Sequence, residues 1–261
     1  MNSARTESAK VRREVSNRVR TNPWKQYFAD GARTAPAVLI AGVLMLACEL
    51  VYLFGPRTMT RCGLEKWFDW LISHVHLNQI LVLPVLTLGV LLAWHYRRGD
   101  SWRVKSQTML ALIGESIAIG LVLAVIVKVF RLASFTGAIE NEFAWSIAAQ
   151  MNLAIPSLAA VVSASIHEEV FFRLGMLGGG IALARRLGFC HRNVQAGLVV
   201  VVSLLFAAIH YSMLNPVGES IDVAGFFCRF GVGMVFGTVY LSRGLALAIG
   251  IHCVYNVVSL L

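Results

Sequence analysis

Charged side chains are scarce in this sequence: they make up 14% of its 261 residues, whereas 57% of the residues are hydrophobic. Soluble domains carry about 25% charged residues, so the deficit excludes an ordinary soluble protein. Several apolar runs approach the length of about 20 residues that a transmembrane helix needs. Short basic links separate these runs, which favours helices over a β-barrel. The sequence therefore predicts an all-α fold, a polytopic helical membrane protein of seven to eight transmembrane helices.

Cysteine pairs of the CxxC type are also missing. The five cysteines show no metal-ligand spacing, and most lie in or beside apolar segments, where a free cysteine behaves as a small hydrophobic residue. They are Cys48, Cys62, Cys190, Cys228 and Cys253. The net charge of +9 does not indicate nucleic-acid binding, because the basic residues lie in the links between apolar runs. We therefore expect structural cysteines, a lipid bilayer as the surroundings and no nucleic acid as a partner.

Seven apolar stretches are candidates for membrane spans. They cover residues 35–54, 77–96, 108–127, 156–187, 194–210, 223–242 and 245–261. An eighth span results if Gly178-Gly179-Gly180 breaks the long fourth stretch, or if a shorter segment from Ala144 crosses separately. We accordingly divide the chain into a basic tail (1–33), N-terminal transmembrane helices (34–140) and a C-terminal transmembrane core (141–261).

Lysines and arginines cluster in residues 1–33 and recur in the links after the second and fourth spans, and Arg243 lies between the last two spans. Under the seven-span count, all of these fall on one face of the membrane. The positive-inside rule then predicts a cytoplasmic N-terminus, and we expect a location in the plasma membrane. The tail is either a simple cytosolic segment or an interfacial helix whose Trp24, Tyr27 and Phe28 contact anionic lipid.

Ionisable and amide side chains recur at helical spacing in the last third of the chain. They form three motifs: His167-Glu168-Glu169-Val170-Phe171-Phe172-Arg173, Phe206-Ala207-Ala208-Ile209-His210 and His252-Cys253-Val254-Tyr255-Asn256. A charged side chain at mid-bilayer costs roughly 2.5 kcal/mol or more, so an ionisable residue inside the membrane is by default a functional hypothesis. We therefore predict an active site inside the helix bundle.

The first motif predicts two different roles for its two carboxylates. Glu169 and Arg173 are four residues apart, so they share a helix face and can form a buried ion pair. Glu168 points about 100° away from Glu169, which leaves its carboxylate available as a general base. The alternative is that both carboxylates belong to one static polar network.

The other two motifs supply hydrogen-bonding groups. His210 closes its helix, a position at which a lone histidine is usually a satisfied interfacial residue. His252 and Asn256 are four residues apart, so they can donate hydrogen bonds to a developing oxyanion. Alternatively, they join spans by hydrogen bonds between helices. Taken together, a base, a histidine that holds water and an oxyanion site fit the hydrolysis of an acyl bond by water.

Zinc is the alternative to a metal-free mechanism. Two histidines and one glutamate with an open position form a known catalytic zinc site, and Glu168, His210 and His252 supply that set. The HExxH motif is absent, because Phe171 stands where the second histidine would follow His167. We expect glutamate chemistry without a cofactor, and we keep zinc as the alternative.

The order of the motifs EExxxR, FxxxH and HxxxN, with residues 236–243 before the last one, resembles the CPBP intramembrane proteases. This family, also called the ABI family, includes type II CAAX prenyl endopeptidases and bacteriocin-immunity relatives. The resemblance covers about residues 156–261, and Leu174 departs from it because glycine commonly follows the arginine. Residues 1–140 carry no signature of the family.

The resemblance implies a helical membrane peptidase that acts on a membrane-anchored protein or peptide. It implies Glu168 as the base, His210 as a helper in water activation, His252 and Asn256 as the oxyanion site, and Glu169 and Arg173 as supporting residues. His167 receives no role. Two functions of other classes remain open: an immunity or scaffold protein of the same fold that does not cleave its partners, and a proton-coupled transporter.

Overall fold

A computed structural model describes residues 22–55, 63–73, 82–134, 154–189, 191–212, 218, 220 and 222–260. Its helices are α1 (Pro23–Gly31), α2 (Thr34–Phe54), α3 (Gly63–Ser73), α4 (Val82–Arg98), α5 (Ser106–Ser134), α6 (Ala154–Glu168), α7 (Gly179–Arg186), α8 (Arg192–Ala208), α9 (Val223–Arg243) and α10 (Leu245–Leu260). A π-helical segment, Glu169–Gly178, joins α6 to α7. The predicted all-α, polytopic class is confirmed.

Within the part of the chain that the structure describes, α2, α5 and α9 are long and apolar enough to cross a membrane, and α8 and α10 are shorter apolar helices. All of them coincide with predicted spans. The helix α4 begins at Val82 and coincides with the remainder of the span predicted at 77–96. On α2 and α5, large apolar side chains such as Val43, Leu46 and Val129 remain exposed. Such a surface suits contact with lipid chains rather than with water.

The long fourth stretch is not broken at its glycine triplet. Gly179 keeps helical torsion angles of φ −62° and ψ −45°, so α6, the π-helical segment and α7 run as one continuous helix. The other route to an eighth span, the segment from Ala144, lies outside the described residues. π-Helical turns are rare and frequently occur at functional sites. Here they begin at Glu169, inside the first motif.

The helix α10 lies at the centre of the bundle, where it packs against α2, α5, α6 and α9. Nearly all its residues from Leu245 to Cys253 are buried, which explains why this helix is apolar around its whole circumference. The helix α5 approaches it closely at Gly120, where an added Cβ would lie 2.7 Å from the Cβ of Val254. His252 of the third motif is therefore held in the core of the bundle.

The starts of α2 and α10 and the link between α4 and α5 lie at one end of the bundle. Thr34 donates its N–H and its hydroxyl to the Asp100 carboxylate, at 2.9 and 2.8 Å. Although burial raises the pKa of Asp100, these hydrogen bonds hold it below its usual value. Gly244, between α9 and α10, takes a φ of +90° and lies against Ala32, which leaves no room for a side chain.

An ion cluster attaches α1 at the same end. Arg243, the last residue of α9, pairs with the Glu115 carboxylate of α5. This carboxylate also accepts a hydrogen bond from the Tyr27 hydroxyl at 2.5 Å. Burial and the Glu115 carboxylate raise the pKa of Tyr27 to about 12, so its hydroxyl remains a donor.

The aromatic residues of α1 differ in their surroundings. The ring of Phe28 lies 4.2 Å from the Arg243 guanidinium, whereas Trp24 is 68% exposed. Tyr27 and Phe28 therefore contact the bundle.

The start of α8 lies at this end too. Gly237 of α9 approaches Val199 of α8, and Gly233, one turn earlier in α9, approaches Ser203. Later positions in α9 thus face earlier positions in α8, so the two helices run antiparallel. This end of the bundle, termed the basic end, comprises residues 22–34, 97–106, 185–189, 191–192 and 243–245.

Candidate active site

The three motifs converge on the carboxylate of Glu168, the last residue of α6. The Nε2 atom of His210 lies 3.8 Å from Oε1 of this carboxylate, and the Nε2 atom of His252 lies 3.7 Å from Oε2. Both distances are longer than a direct hydrogen bond, and polar groups so spaced are commonly bridged by water. The Glu168 side chain is only 4% exposed. The carboxylate is therefore buried, yet it makes no direct hydrogen bond to either imidazole.

His210 follows the end of α8, and its backbone neighbours orient its ring. Its Nδ1 lies 2.7 Å from the carbonyl oxygen of Phe206. Because a carbonyl can only accept, Nδ1 carries a hydrogen, and the lone pair of the neutral ring is on Nε2. The Phe206 ring packs edge-on against the imidazole, with centroids 5.0 Å apart. His210 thus presents an acceptor nitrogen toward Glu168.

His252 is joined to the second carboxylate of the first motif. Its Nδ1 lies 2.9 Å from Oε1 of Glu169, and its ring is stacked on Phe236 with centroids 4.4 Å apart. The other oxygen of Glu169 lies 3.4 Å from the Nε atom of Arg173, as the four-residue spacing predicts. Glu169 therefore bridges the arginine and the histidine, and it holds the Nε2 atom of His252 toward Glu168.

Arg173 is almost fully buried, with 1% of its side chain exposed. Its Nη2 donates to the carbonyl oxygen of Gly233 at 3.3 Å, and its guanidinium lies 4.5 Å from the ring centroid of Phe206 and 5.3 Å from that of Phe236. An arginine above aromatic faces gains cation–π stabilisation. These contacts join the π-helical segment to α8 and α9 around the Glu169 carboxylate.

Asn256 lies one turn after His252 and is fixed by α6. Its Nδ2 donates to the hydroxyl of Ser165 at 2.9 Å, and that hydroxyl donates to the Val161 carbonyl at 2.6 Å. An amide nitrogen carries two hydrogens, so one N–H of Asn256 remains for a ligand. The side chain is partly buried and faces the same space as the two histidines.

One cavity of about 320 Å³ contains all four predicted site residues in its wall: Glu168, His210, His252 and Asn256. Five helices line it, namely α5, α6, α8, α9 and α10. Its wall also contains two arginines, Arg131 and Arg229. Ligand cavities for small molecules begin at about 300 Å³, so the space accommodates a few residues of a peptide.

Residues 150–258 match the family described as type II CAAX prenyl endopeptidase Rce1-like. We refer to this region as the Rce1-like domain. The match confirms the resemblance drawn from the three motifs, all of which lie within the matched residues. At family level, the match supports an intramembrane endopeptidase of the CAAX type. No curated protein and no solved structure matches the chain.

A contact between the Rce1-like domain and α3 was not predicted from the sequence. The backbone N–H of Leu64 donates to Oε1 of Glu168 at 3.3 Å. The next residue, Glu65, places its Oε1 2.6 Å from Nδ1 of His167 and accepts the hydroxyl of Ser163 at 2.5 Å. The apolar periodicity of α3 could have indicated a helix, but nothing in the sequence connects it to residues about a hundred positions later.

Zinc would be held by Glu168, His210 and His252. Among the residues that the structure describes, no group of three or more His, Cys, Asp and Glu side chains is arranged to hold a metal ion.

Proposed function

We propose that this protein is an intramembrane endopeptidase that hydrolyses a peptide bond of a membrane-anchored protein or peptide. The observation that carries the proposal is the meeting of one buried carboxylate and two imidazoles at the wall of a cavity large enough for a peptide segment. We further propose the plasma membrane as its location and a cytoplasmic N-terminus. The bilayer itself holds the substrate near the site.

In the proposed reaction, a water molecule lies beside the Glu168 carboxylate and donates one hydrogen to Nε2 of His210. Glu168 removes the other proton as the water oxygen bonds to the carbonyl carbon of the substrate. The carbon–nitrogen bond then breaks, and the proton passes from Glu168 to the departing amine nitrogen. Glu168 acts first as base and then as acid, so no cofactor is required.

The negative charge that develops on the carbonyl oxygen requires donors. The remaining N–H of Asn256 is one of them. His252 can be the second only when both of its nitrogens carry hydrogen, because Nδ1 already donates to Glu169. In that state, the Glu169 carboxylate carries the neutralising charge. Glu169 and Arg173 are thus positioning residues in this proposal, since they act through His252.

The proposal is tested by comparing the protein fragments in membranes from cells that make the wild-type protein, the Glu168→Gln variant or no protein. A general base contributes about 10²–10⁴-fold to a rate, so we expect the fragments to be lost in Glu168→Gln. Equal fragment levels in the variant would reject the assignment of Glu168. If the variant also keeps the biological effect of the protein, an immunity or scaffold function replaces the peptidase.

A chelator distinguishes the two forms of the mechanism. We expect the rate of cleavage by purified protein in detergent to be unchanged after treatment with a strong zinc chelator. Loss of activity that added zinc restores would establish the metal mechanism, with Glu168, His210 and His252 as ligands. Substrate flux that depends on a proton gradient, without cleavage, would instead favour the transporter.

A further inference from the structure

The two ends of the bundle differ in their relation to the cavity. The helix α10 starts at the basic end, and His252, Asn256 and Ser259 follow one another along it, away from that end. All three line the cavity. The cavity therefore extends from the middle of α10 toward the end of the bundle that lies opposite the basic end.

Other helices indicate the same direction. The helix α5 starts at the basic end, and its contribution to the cavity wall is Val127 and Arg131, near its far end. The helix α9 finishes at the basic end, and its contribution begins at Gly225, near its start. Arg131 lies 3.9 Å from Asp222, which joins these two far ends, and its side chain is 56% exposed. Arg131 and Ser259, both exposed, mark the mouth of the cavity.

Basic residues mark the side of the membrane on which the basic end lies. The 23 lysines and arginines of the chain are distributed unevenly. Most belong to the basic end or to the tail before it: Arg5, Lys10, Arg12, Arg13, Arg18, Arg20, Lys25, Arg33, Arg97, Arg98, Arg103, Lys105, Arg185, Arg186, Arg192 and Arg243. The sequence between α8 and α9 contains Glu219 and Asp222 and no lysine or arginine. Lysine and arginine close to spans remain in the cytoplasm.

We propose that the cavity opens on the non-cytoplasmic side of the membrane, and that the substrate's scissile bond enters from that side. That the cavity receives a substrate rests on the proposed function, whereas the direction in which the cavity opens does not. The expected substrates are proteins or peptides that are anchored in the membrane and expose the cleaved segment outside the cytoplasm. A prenylated chain terminus that stays in the cytosol does not reach this mouth.

Two serines provide a matched test of the side of the membrane on which the cavity opens. Ser259 is at the mouth and Ser242 is at the basic end; both are exposed, and each hydroxyl donates to the carbonyl four residues earlier, at 2.8 and 2.7 Å. We would introduce Ser259→Cys or Ser242→Cys into a chain whose five cysteines are replaced, and treat intact cells with a membrane-impermeant maleimide. We expect labelling of the Ser259→Cys protein only, and labelling of Ser242→Cys after the membrane is permeabilised. The opposite pattern would overturn the proposal.

A second measurement leaves all native cysteines in place. Alkaline phosphatase, which is active only outside the cytoplasm, or green fluorescent protein, which fluoresces only inside it, would be fused after Leu261. We expect an active phosphatase and a dark fluorescent protein, because α10 ends on the mouth side. The reverse result would overturn the proposal even if the cysteine-free chain fails to fold. Neither readout depends on catalysis, so a wrong direction leaves the Glu168→Gln test of function standing.

Discussion

Two adjacent residues of α6, His167 and Glu168, each take part in a carboxylate–histidine contact. One contact is a direct bond, and in the other the atoms are too far apart to bond directly. His167 lies 2.6 Å from Glu65, and neither side chain is exposed. Glu168, the next residue, stands 3.7 and 3.8 Å from two imidazoles, and the His210 side chain is 17% exposed. The first contact, termed the closed pair, is fully buried and directly bonded. The second, termed the open site, borders the cavity. In the proposed function, the same residue types therefore serve structure in the closed pair and chemistry in the open site.

The helix itself explains why adjacent residues have such different surroundings. Successive residues of a helix point about 100° apart, so His167 and Glu168 belong to different faces of α6. One face meets Glu65 of α3 and the hydroxyl of Ser163; the other meets the cavity. A buried pair is strongly destabilised when one partner is lost, whereas an incompletely bonded carboxylate keeps acceptor capacity for water.

The largest expected difference concerns the two histidines. We expect His210→Gln to lower the rate of cleavage about a hundredfold, because an acid–base partner of the water is lost, with little change in Tm. We expect His167→Gln to keep most of the activity but to lower stability by about 1–3 kcal/mol, because the buried Glu65 carboxylate loses one of its donors. The measurements are cleavage rate and Tm of each purified variant in the same detergent.

These two substitutions are controls for each other, since both replace an imidazole by the same amide. If His167→Gln lowered the rate as strongly as His210→Gln at an unchanged Tm, the closed pair would take part in the chemistry. If His210→Gln lowered only the Tm, the open site would be structural. Either outcome would remove the distinction between the two contacts.

The open site could be predicted from the sequence because its residues stand at helical spacing inside apolar segments. The four-residue spacing of Glu169 and Arg173 predicted their contact. The hydrogen bond between Glu169 and His252 joins two helices that are far apart in the sequence, and the spacing within one motif carries no information about it. The closed pair was missed for the same reason: Glu65 stands in a short helix outside the matched domain, and its partner lies about a hundred residues later. The bounds of α2 and α9 were predicted to within one residue because apolar runs set them, whereas α5 extends beyond its predicted end to Ser134.

A smaller effect is expected from the hydrogen bond that joins α3 to the open site. Leu64 lies in the first turn of α3, where proline is tolerated. Leu64→Pro removes the N–H that Glu168 accepts, whereas Leu64→Ala keeps it. Since a hydrogen bond to a charged group contributes about 1.5–3 kcal/mol, we expect at least a tenfold lower cleavage rate in the proline variant. Loss of side-chain packing is common to both variants, so equal rates in the two would show that this N–H does not position the carboxylate.

The smallest effects come from two serines that sit two residues apart on α6. Ser163 donates to Glu65 in the closed pair at 2.5 Å, and Ser165 accepts from Asn256 at the open site at 2.9 Å. Each alanine substitution removes one of these two hydrogen bonds to a side chain of another helix, so we expect each to lower stability by about 1 kcal/mol. Only Ser165→Ala should also lower the cleavage rate, by a few-fold, because it frees the Asn256 amide from its position.

Comparable Tm values with different rates would place the functional boundary inside α6, between residues that a helix separates by about 200°. The matched cost in stability is what makes this comparison decisive, since a general loosening of α6 would lower both rates equally. A lower rate in Ser163→Ala at the same Tm would mean that closure of the Glu65–His167 contact is transmitted to Glu168 through the Leu64 N–H. The closed pair would then be a positioning element of the open site.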